Sequence, residues 1–142
     1  MAEEALVTTE PLVQPLIRFL QELETEKGAT SFCILHKDPG TPEDQWNLLF
    51  SANWVKAMGR SQALTYLAEK LYRELEEELR KRIARIVLLD DKEPFVKLVS
   101  SSFRVRLGVV GTTLVNCYAG PFHIERAILF VTSPPRNKTA SK

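Results

Sequence analysis

Cysteine is scarce in this 142-residue sequence, which contains two cysteines far apart in the chain, Cys33 and Cys117. Two cysteines are too few for a disulfide framework, and neither belongs to the closely spaced pair that a zinc site typically needs. We expect both thiols to be reduced and buried. Because each cysteine lies in a predicted strand, a single bridge between them remains an open alternative.

The sequence also lacks long hydrophobic runs and a basic leader. Its first ten residues, MAEEALVTTE, contain no lysine or arginine. This predicts neither a secretory signal peptide nor a transmembrane helix. We therefore expect a cytoplasmic protein that has no membrane partner.

Recognisable catalytic and cofactor-binding motifs are absent as well. Gly108 and Gly111 do not belong to a G-x-x-x-x-G-K phosphate-binding loop, and the two histidines and two cysteines are too dispersed for a metal site. The sequence indicates no catalytic residue, no metal and no cofactor. It leaves open whether the protein is an enzyme.

What is present fits one globular domain, since 44% hydrophobic and 26% charged residues are near the averages for such domains. The formal net charge of +1 conceals a strong contrast along the chain. Residues 1–79 carry 7 Lys/Arg and 14 Asp/Glu, whereas residues 80–142 carry 12 and 4. This contrast predicts a dipolar surface or strong internal ion pairing, and it influences encounters with partners rather than reaction chemistry.

Hydrophobic periodicity and turn-forming residues predict eight elements along the chain. In order, they are a helix near residues 10–27, strands Thr30–His36 and Trp46–Val55 joined as an antiparallel hairpin, a helix from an N-cap at Ser61 to Leu79, a strand Ile83–Leu89, a helix that begins within residues 90–94, and strands Thr112–Ala119 and Phe122–Thr132 joined as a closing hairpin.

This order, α-β-β-α-β-α-β-β, predicts a single α+β domain over residues 9–133, with a mixed sheet of about five strands covered by two or three helices. The apolar run Ile83–Leu89, IARIVLL, predicts a central strand that is buried on both faces and joined to the preceding strand by a parallel crossover. Residues 1–8 are expected to form a flexible N-terminal tail, and the proline-broken residues 134–142 a disordered C-terminal tail.

Asp90 and Asp91 follow the predicted central strand directly. The carboxyl end of such strands is where open α/β sheets hold ligands and catalytic groups. The competing interpretation is structural, because Asp followed by Lys-Glu-Pro is typical of a helix N-terminus. We favour the helix cap and keep the two aspartates as candidate ligand-binding residues.

Basic residues provide the other candidate site, and the sequence adds four arginines to the candidate ligand-binding set: Arg82, Arg85, Arg104 and Arg106. Together with Arg80, Lys81 and Arg126, they form one patch if the third strand and the final hairpin are neighbours. Such a patch suits phosphate or an acidic protein surface. A pI near 7.8 and the lack of aromatic residues between these basic residues disfavour nucleic acid.

Each histidine has a neighbour with which it forms a candidate catalytic pair. Cys117 and His123 flank the final turn, where an imidazole would activate a thiol nucleophile. His36 and Asp38, at a strand end, have the residue types of a base and the group that orients it. In both cases we favour the structural interpretation: a buried strand cysteine beside a hairpin histidine, and a sharp turn after His36.

Three functions remain, from different classes. The preferred one is an interaction or regulatory module that self-associates as a homodimer or binds another protein. The charge contrast and the missing catalytic motifs favour it. Trp46 and Trp54 near a hairpin are candidate contact residues, but we favour a place in the core for both. The second is a small-ligand sensor or enzyme with a site near Asp90 and Asp91. The third is binding of an anion or nucleic acid through the arginine-rich C-terminal half.

Overall fold

The computed structural model describes residues 10–108 and 111–132 of the chain. These residues form one α+β domain whose strands and longer helices follow the predicted order. Within these residues no helix is long and apolar enough to cross a membrane. The tails predicted for residues 1–8 and 134–142 lie outside the described residues. The elements are α1 (Val13–Lys27), β1 (Thr30–Lys37), β2 (Trp46–Ala52), α2 (Asn53–Met58), α3 (Arg60–Glu74), α4 (Glu77–Arg80), β3 (Ile83–Leu88), α5 (Pro94–Ser102), β4 (Thr112–Ala119) and β5 (Phe122–Thr132).

A mixed five-stranded sheet forms the centre of the fold, with the strand order β3-β2-β1-β5-β4. β1 pairs antiparallel with β2 and with β5, and β4 pairs antiparallel with β5. β2 and β3 are parallel and are connected through α2, α3 and α4. Both predicted hairpins and the predicted parallel crossover are therefore confirmed.

Helices cover both faces of the sheet because side chains alternate along each strand. In β1, Cys33 and Leu35 belong to the core beneath α1 and α3, whereas Phe32 and Ile34 belong to the core beneath α5. The leucine stripe of α1 supplies much of the first core. The helix ends at Lys27, and Gly28, which follows it, has a φ of 117°. Every residue of β2 is buried, as expected for an interior strand.

The prediction that the Ile83–Leu89 run is a central strand buried on both faces is wrong. The run does form β3, but β3 is an edge strand, and Ala84 and Arg85 are exposed. Its aliphatic residues contact both cores although the strand is at the edge: Ile83, Ile86 and Leu88 pack on the first core, and Val87 and Leu89 pack on the second. The buried strand is β2. An apolar run of this kind cannot by itself distinguish a central strand from an edge strand beside an apolar surface.

The predicted helix from Ser61 to Leu79 is divided into two. α3 begins at Arg60 and ends at Glu74, and Leu75 is extended with its side chain in the core. The guanidinium of Arg80 donates to the carbonyls of Tyr72 at 3.0 Å and Leu75 at 2.7 Å. Several glutamates follow Arg73, and their negative charges would be unfavourable at the C-terminal end of a longer helix, which is the negative end of the helix dipole. Arg80 instead supplies the positive charge that the C-terminal end of α3 favours.

The second strand is also shorter than predicted. β2 ends at Ala52, and Trp54 and Val55 pack on the core from the short helix α2. An apolar run alone does not reveal this change of backbone because both conformations bury the same side chains.

Part of the charge contrast is resolved by internal pairing. Glu10 accepts hydrogen bonds from the indole of Trp46 and from the Arg82 side chain, both at 3.0 Å, and so links the start of α1 to β2 and β3. Lys70 of α3 is 1% exposed, and its ammonium contacts Glu22 and Glu26 of α1 and Glu74 of α3. These contacts join elements that are distant in sequence.

Candidate functional site

An apolar groove runs between α3 and the edge strand β3. We call it the α3/β3 groove. Its volume is about 360 Å³. The wall formed by the helix side is mostly apolar, and the opposite wall combines two isoleucines with two arginines. The lining residues are Leu64, Ala68, Leu71, Tyr72 and Leu75 on one side and Arg80, Ile83, Arg85 and Ile86 on the other.

Two further depressions continue this groove. One, of about 460 Å³, shares Leu64 and Ile86 and extends past Arg60 to Leu88. The other, of about 470 Å³, shares Tyr72 and lies on the outer face of α3. Leu64 is 40% exposed and Tyr72 is 67% exposed. An exposed leucine and tyrosine bordering a contiguous apolar depression are typical of a contact surface.

The backbone of β3 is open on the side away from β2. The Leu89 amide donates to the Phe50 carbonyl of β2 at 2.9 Å. Because backbone groups point to opposite sides at alternate residues, those of Val87 also face β2, whereas those of Ile86 and Leu88 face outward. The guanidinium of Arg60 donates to the outward Leu88 carbonyl at 2.6 Å. The amide and carbonyl of Ile86 are left available to another strand.

β4 forms the opposite edge of the sheet and differs from β3 in backbone geometry. Asn116, in the middle of β4, has a φ of 54°, which interrupts the extended conformation. Two apolar side chains are exposed on this strand, Val115 at 47% and Tyr118 at 65%. No such positive φ occurs in β3. The β3 edge is therefore the more regular template for an added strand.

Asp90 and Asp91 follow β3, as predicted, but they do not line the α3/β3 groove. The Lys92 amide donates to Asp90 at 2.9 Å, and Lys56 contacts both carboxylates, at 3.8 Å and 3.3 Å. The hydrogen bond from the Lys92 N–H and the positive charge of Lys56 lower the pKa of Asp90. These interactions build the turn that precedes α5, where Glu93 occupies the N-cap position.

The four candidate arginines do not converge on one site. Arg82 pairs with Glu10, and Arg85 reaches the rim of the α3/β3 groove and lies 4.0 Å from Asp38. Arg104 and Arg106 lie beside the end of β5, where they line another cavity. β3 and β5 are three strand positions apart, about 14 Å at the usual strand spacing. The third strand and the final hairpin are not neighbours, so the predicted single basic patch does not form.

The two candidate catalytic pairs are held by other partners. His123 lies opposite Tyr118 and contacts Asn116 at 2.6 Å, whereas Cys117 lies opposite Ile124, on the other face of the hairpin. Asp38 accepts hydrogen bonds from Thr41 and Gly40, which organise the loop after β1. The ring of His36 packs edge-on against Phe95 with 5.7 Å between centroids. The structural interpretation explains the contacts of His36 and His123, but the burial that it expects for Cys117 is wrong.

Both cysteines are free thiols, so the alternative of a bridge between them is excluded. Cys33 is buried, and burial raises the pKa of its thiol. Cys117 is only half-buried, contrary to expectation, because β4 is an edge strand. Within residues 10–108 and 111–132, no group of three or more His, Cys, Asp or Glu side chains is placed to hold a metal ion.

Sequence reasoning missed the groove residues Leu64 and Tyr72. Leu64 belongs to the apolar stripe of the predicted helix from Ser61 to Leu79, so the sequence pattern predicts its burial, and the pattern does not single out Tyr72. One signal was present: Tyr72 interrupts the charged face of an otherwise amphipathic helix. An aromatic residue on the polar side of a helix is a candidate contact residue.

No protein-family model matches this chain, and neither a curated protein nor a solved structure is significantly similar to it.

Proposed function

We propose that this protein is an interaction module that forms a homodimer through the β3 edge and the α3/β3 groove. The observation that carries the proposal is the combination of outward backbone groups at Ile86 with an adjoining apolar depression. Strand addition provides hydrogen bonds, and burial of Leu64, Tyr72 and Ile86 provides the hydrophobic contribution.

A two-fold axis fixes how two copies of the same strand meet. In a symmetric dimer each copy presents the same surface, so β3 pairs with its counterpart in the antiparallel direction. The two five-stranded sheets then become continuous. Because α3 borders the same edge, the two copies of the helix pack near the axis on one face of the joined sheet, where Leu64 and Tyr72 lose their exposure to water.

Electrostatics selects the register of this pairing. An axis at Arg85 would put two guanidinium groups directly opposite each other, and like charges in that position are destabilising. An axis at Ile86 puts Arg85 opposite Val87 of the second copy. It also uses the open amide and carbonyl of Ile86 in both copies. We therefore assign the axis to Ile86.

Support for an enzymatic function is weaker. The thiol of Cys117, the imidazole of His123 and the carboxylates of Asp90 and Asp91 contact groups that build the hairpin and the turn before α5. The α3/β3 groove, in contrast, combines a mostly apolar lining, with arginines on one side, and an open strand edge. This combination favours a protein surface as the ligand.

Sedimentation velocity over a range of protein concentrations, at low and high salt, tests the proposal. We expect a reversible dimer with twice the 16.1 kDa mass of the chain. Its affinity should change little at high salt because the interface is mainly apolar. A monomer at every concentration would contradict self-association. A dimer that dissociates at high salt would contradict an apolar interface.

We further propose a cytoplasmic location. The support is chemical: both cysteines are unpaired thiols, which are typical of a reducing compartment. Recovery of the protein in the cytoplasmic fraction of its native cells tests this, and recovery in an extracellular or organellar fraction would contradict it.

A further inference from the structure

The segment after α5 is fixed firmly beside the end of β5. The Val105 amide donates to the Thr132 hydroxyl at 2.9 Å, and the Thr132 amide donates to the Val105 carbonyl at 2.8 Å. The Thr132 hydroxyl in turn donates to the Phe103 carbonyl at 2.6 Å. These three bonds hold residues 103–105 against the sheet, and they pre-position the side chains that flank Val105.

Two arginines flank this fixed point. Val105 packs on the core beneath α5, whereas Arg104 and Arg106 are exposed. Since alternate side chains of an extended segment share a side, both guanidinium groups project in the same general direction. Their α-carbons are about 7 Å apart at the rise of a strand. Two long, forked side chains at this spacing can converge on one anion.

Neither guanidinium is neutralised by the described part of the protein. Arg82, Arg85 and Arg126 pair with carboxylates, and Arg60 and Arg80 donate to backbone carbonyls. No ion pair or hydrogen bond joins Arg104 or Arg106 to any other described side chain or carbonyl. Their donors are therefore available to a ligand.

These arginines line a cavity of about 480 Å³, with Glu24, Val105, Leu107 and Thr132 among the other lining residues. This volume lies within the range of small-molecule sites. Glu24 is held in place because one of its carboxylate oxygens accepts the Thr30 amide at 3.2 Å. The cavity thus combines two positive groups with one fixed hydrogen-bond acceptor.

We propose that this cavity binds a small metabolite that carries an oxyanion, phosphate or carboxylate, together with a hydrogen-bond donor such as an ammonium group. Arg104 and Arg106 bind the oxyanion, for which the guanidinium fork is geometrically suited. Glu24 binds the donor. The carboxylate also selects against ligands that are anionic throughout, because it would repel a second negative group.

Titrations followed by NMR of the backbone amides test the proposal with three probes: inorganic phosphate, acetate and O-phosphoethanolamine. We expect saturable shifts at Val105 and Thr132. Because phosphate and acetate each carry a single oxyanion group, comparing these two probes tells which oxyanion is preferred. Arg104→Gln with Arg106→Gln should weaken binding by about tenfold or more. Arg18→Gln with Arg73→Gln, which removes the same charge from exposed helix positions, should leave affinity unchanged.

Glu24→Gln provides a second readout that a nonspecific electrostatic effect would not reproduce. This variant should bind inorganic phosphate more tightly and O-phosphoethanolamine more weakly. Absence of saturable shifts with all three probes, equal loss of affinity in both arginine pairs, or an E24Q variant that changes both phosphate probes alike would overturn the proposal. The cavity and the α3/β3 groove share no lining residue, so monomeric and dimeric protein should bind these probes with equal affinity.

Discussion

The guanidinium of Arg60 donates a 2.6 Å hydrogen bond to the main-chain carbonyl of Leu88, and so the helix that borders the groove also covers one end of the sheet edge. The remaining open backbone groups of the regular part of β3 are centred on Ile86. This arrangement limits where another strand can pair.

Cross-linking tests the register proposed for the dimer. In a Cys117→Ser background, Ile86→Cys should form an intermolecular disulfide under mild oxidation, because the two copies of residue 86 meet at the axis. Ala84→Cys is the matched control. Residue 84 faces residue 88 of the other copy in this register, so Ala84→Cys should form far less covalent dimer, as measured by non-reducing electrophoresis.

The reverse pattern would contradict the register. If Ala84→Cys forms the disulfide efficiently and Ile86→Cys does not, the axis lies elsewhere along β3. Equal and slow cross-linking of both variants, as expected for random collisions, would contradict pairing through β3.

The buried ammonium of Lys70 provides a test of how α1 and α3 are joined. Burial opposes its charge, but hydrogen bonds to Glu74 and Glu26 raise the pKa of Lys70 above its usual value. Lys70→Met should lower the free energy of unfolding by about 1 kcal/mol, because the buried ammonium is poorly screened by water even though the glutamates that it contacts are partly exposed. Urea denaturation followed by circular dichroism measures the change.

Lys56→Met is the matched control for Lys70→Met. Lys56 also contacts two carboxylates, Asp90 and Asp91, but the Lys56 side chain itself is 53% exposed, whereas that of Lys70 is 1% exposed, so water screens the interaction of Lys56. This substitution should leave stability nearly unchanged. Equal effects of the two variants would contradict a special role for burial at Lys70.

His36 makes the stability of the fold depend on pH. Burial against Phe95 lowers the pKa of His36 below its ordinary value of 6.5, and Asp38 only partly opposes this. The folded protein therefore prefers the neutral ring. Its contribution to stability is present above pH 6.5 and is lost as the pH falls towards the pKa in the folded state.

Replacement of this ring isolates the effect. Relative to the wild type, His36→Gln should show a smaller loss of unfolding free energy between pH 8 and pH 5.5, measured by urea denaturation at each pH. The comparison at pH 8 serves as the reference, because the histidine is neutral in both states there. Parallel pH profiles for the two proteins would contradict the assignment to His36.

The order of the elements was predictable because each depends on local patterns. The leucine stripe of α1, the turn at Gly120 and the apolar run of β2 all report on nearby residues. The position of β3 at the sheet edge was not predictable in the same way. It depends on which strands pair over long sequence separations. The pattern of IARIVLL is compatible both with a central strand and with an edge strand that borders an apolar groove.

The same limit applies to the candidate sites. Asp90 and Asp91 were correctly located after β3, but the strand itself is not central. Arg104 and Arg106 were singled out by charge alone, whereas the contacts of Thr132 that fix them appear only when distant segments are brought together. The α3/β3 groove arises from packing between elements, so no single segment encodes it.

Self-association through the α3/β3 groove is tested most directly by comparing two double variants in sedimentation velocity. Leu64→Glu with Tyr72→Glu puts charge into the groove, and Val115→Glu with Tyr118→Glu puts the same charge on β4. The exposures match closely, with Tyr72 at 67% and Tyr118 at 65%. We expect the groove variant to be a folded monomer and the β4 variant to remain a dimer like the wild type. A groove variant that dimerises as strongly as the wild type would contradict the account.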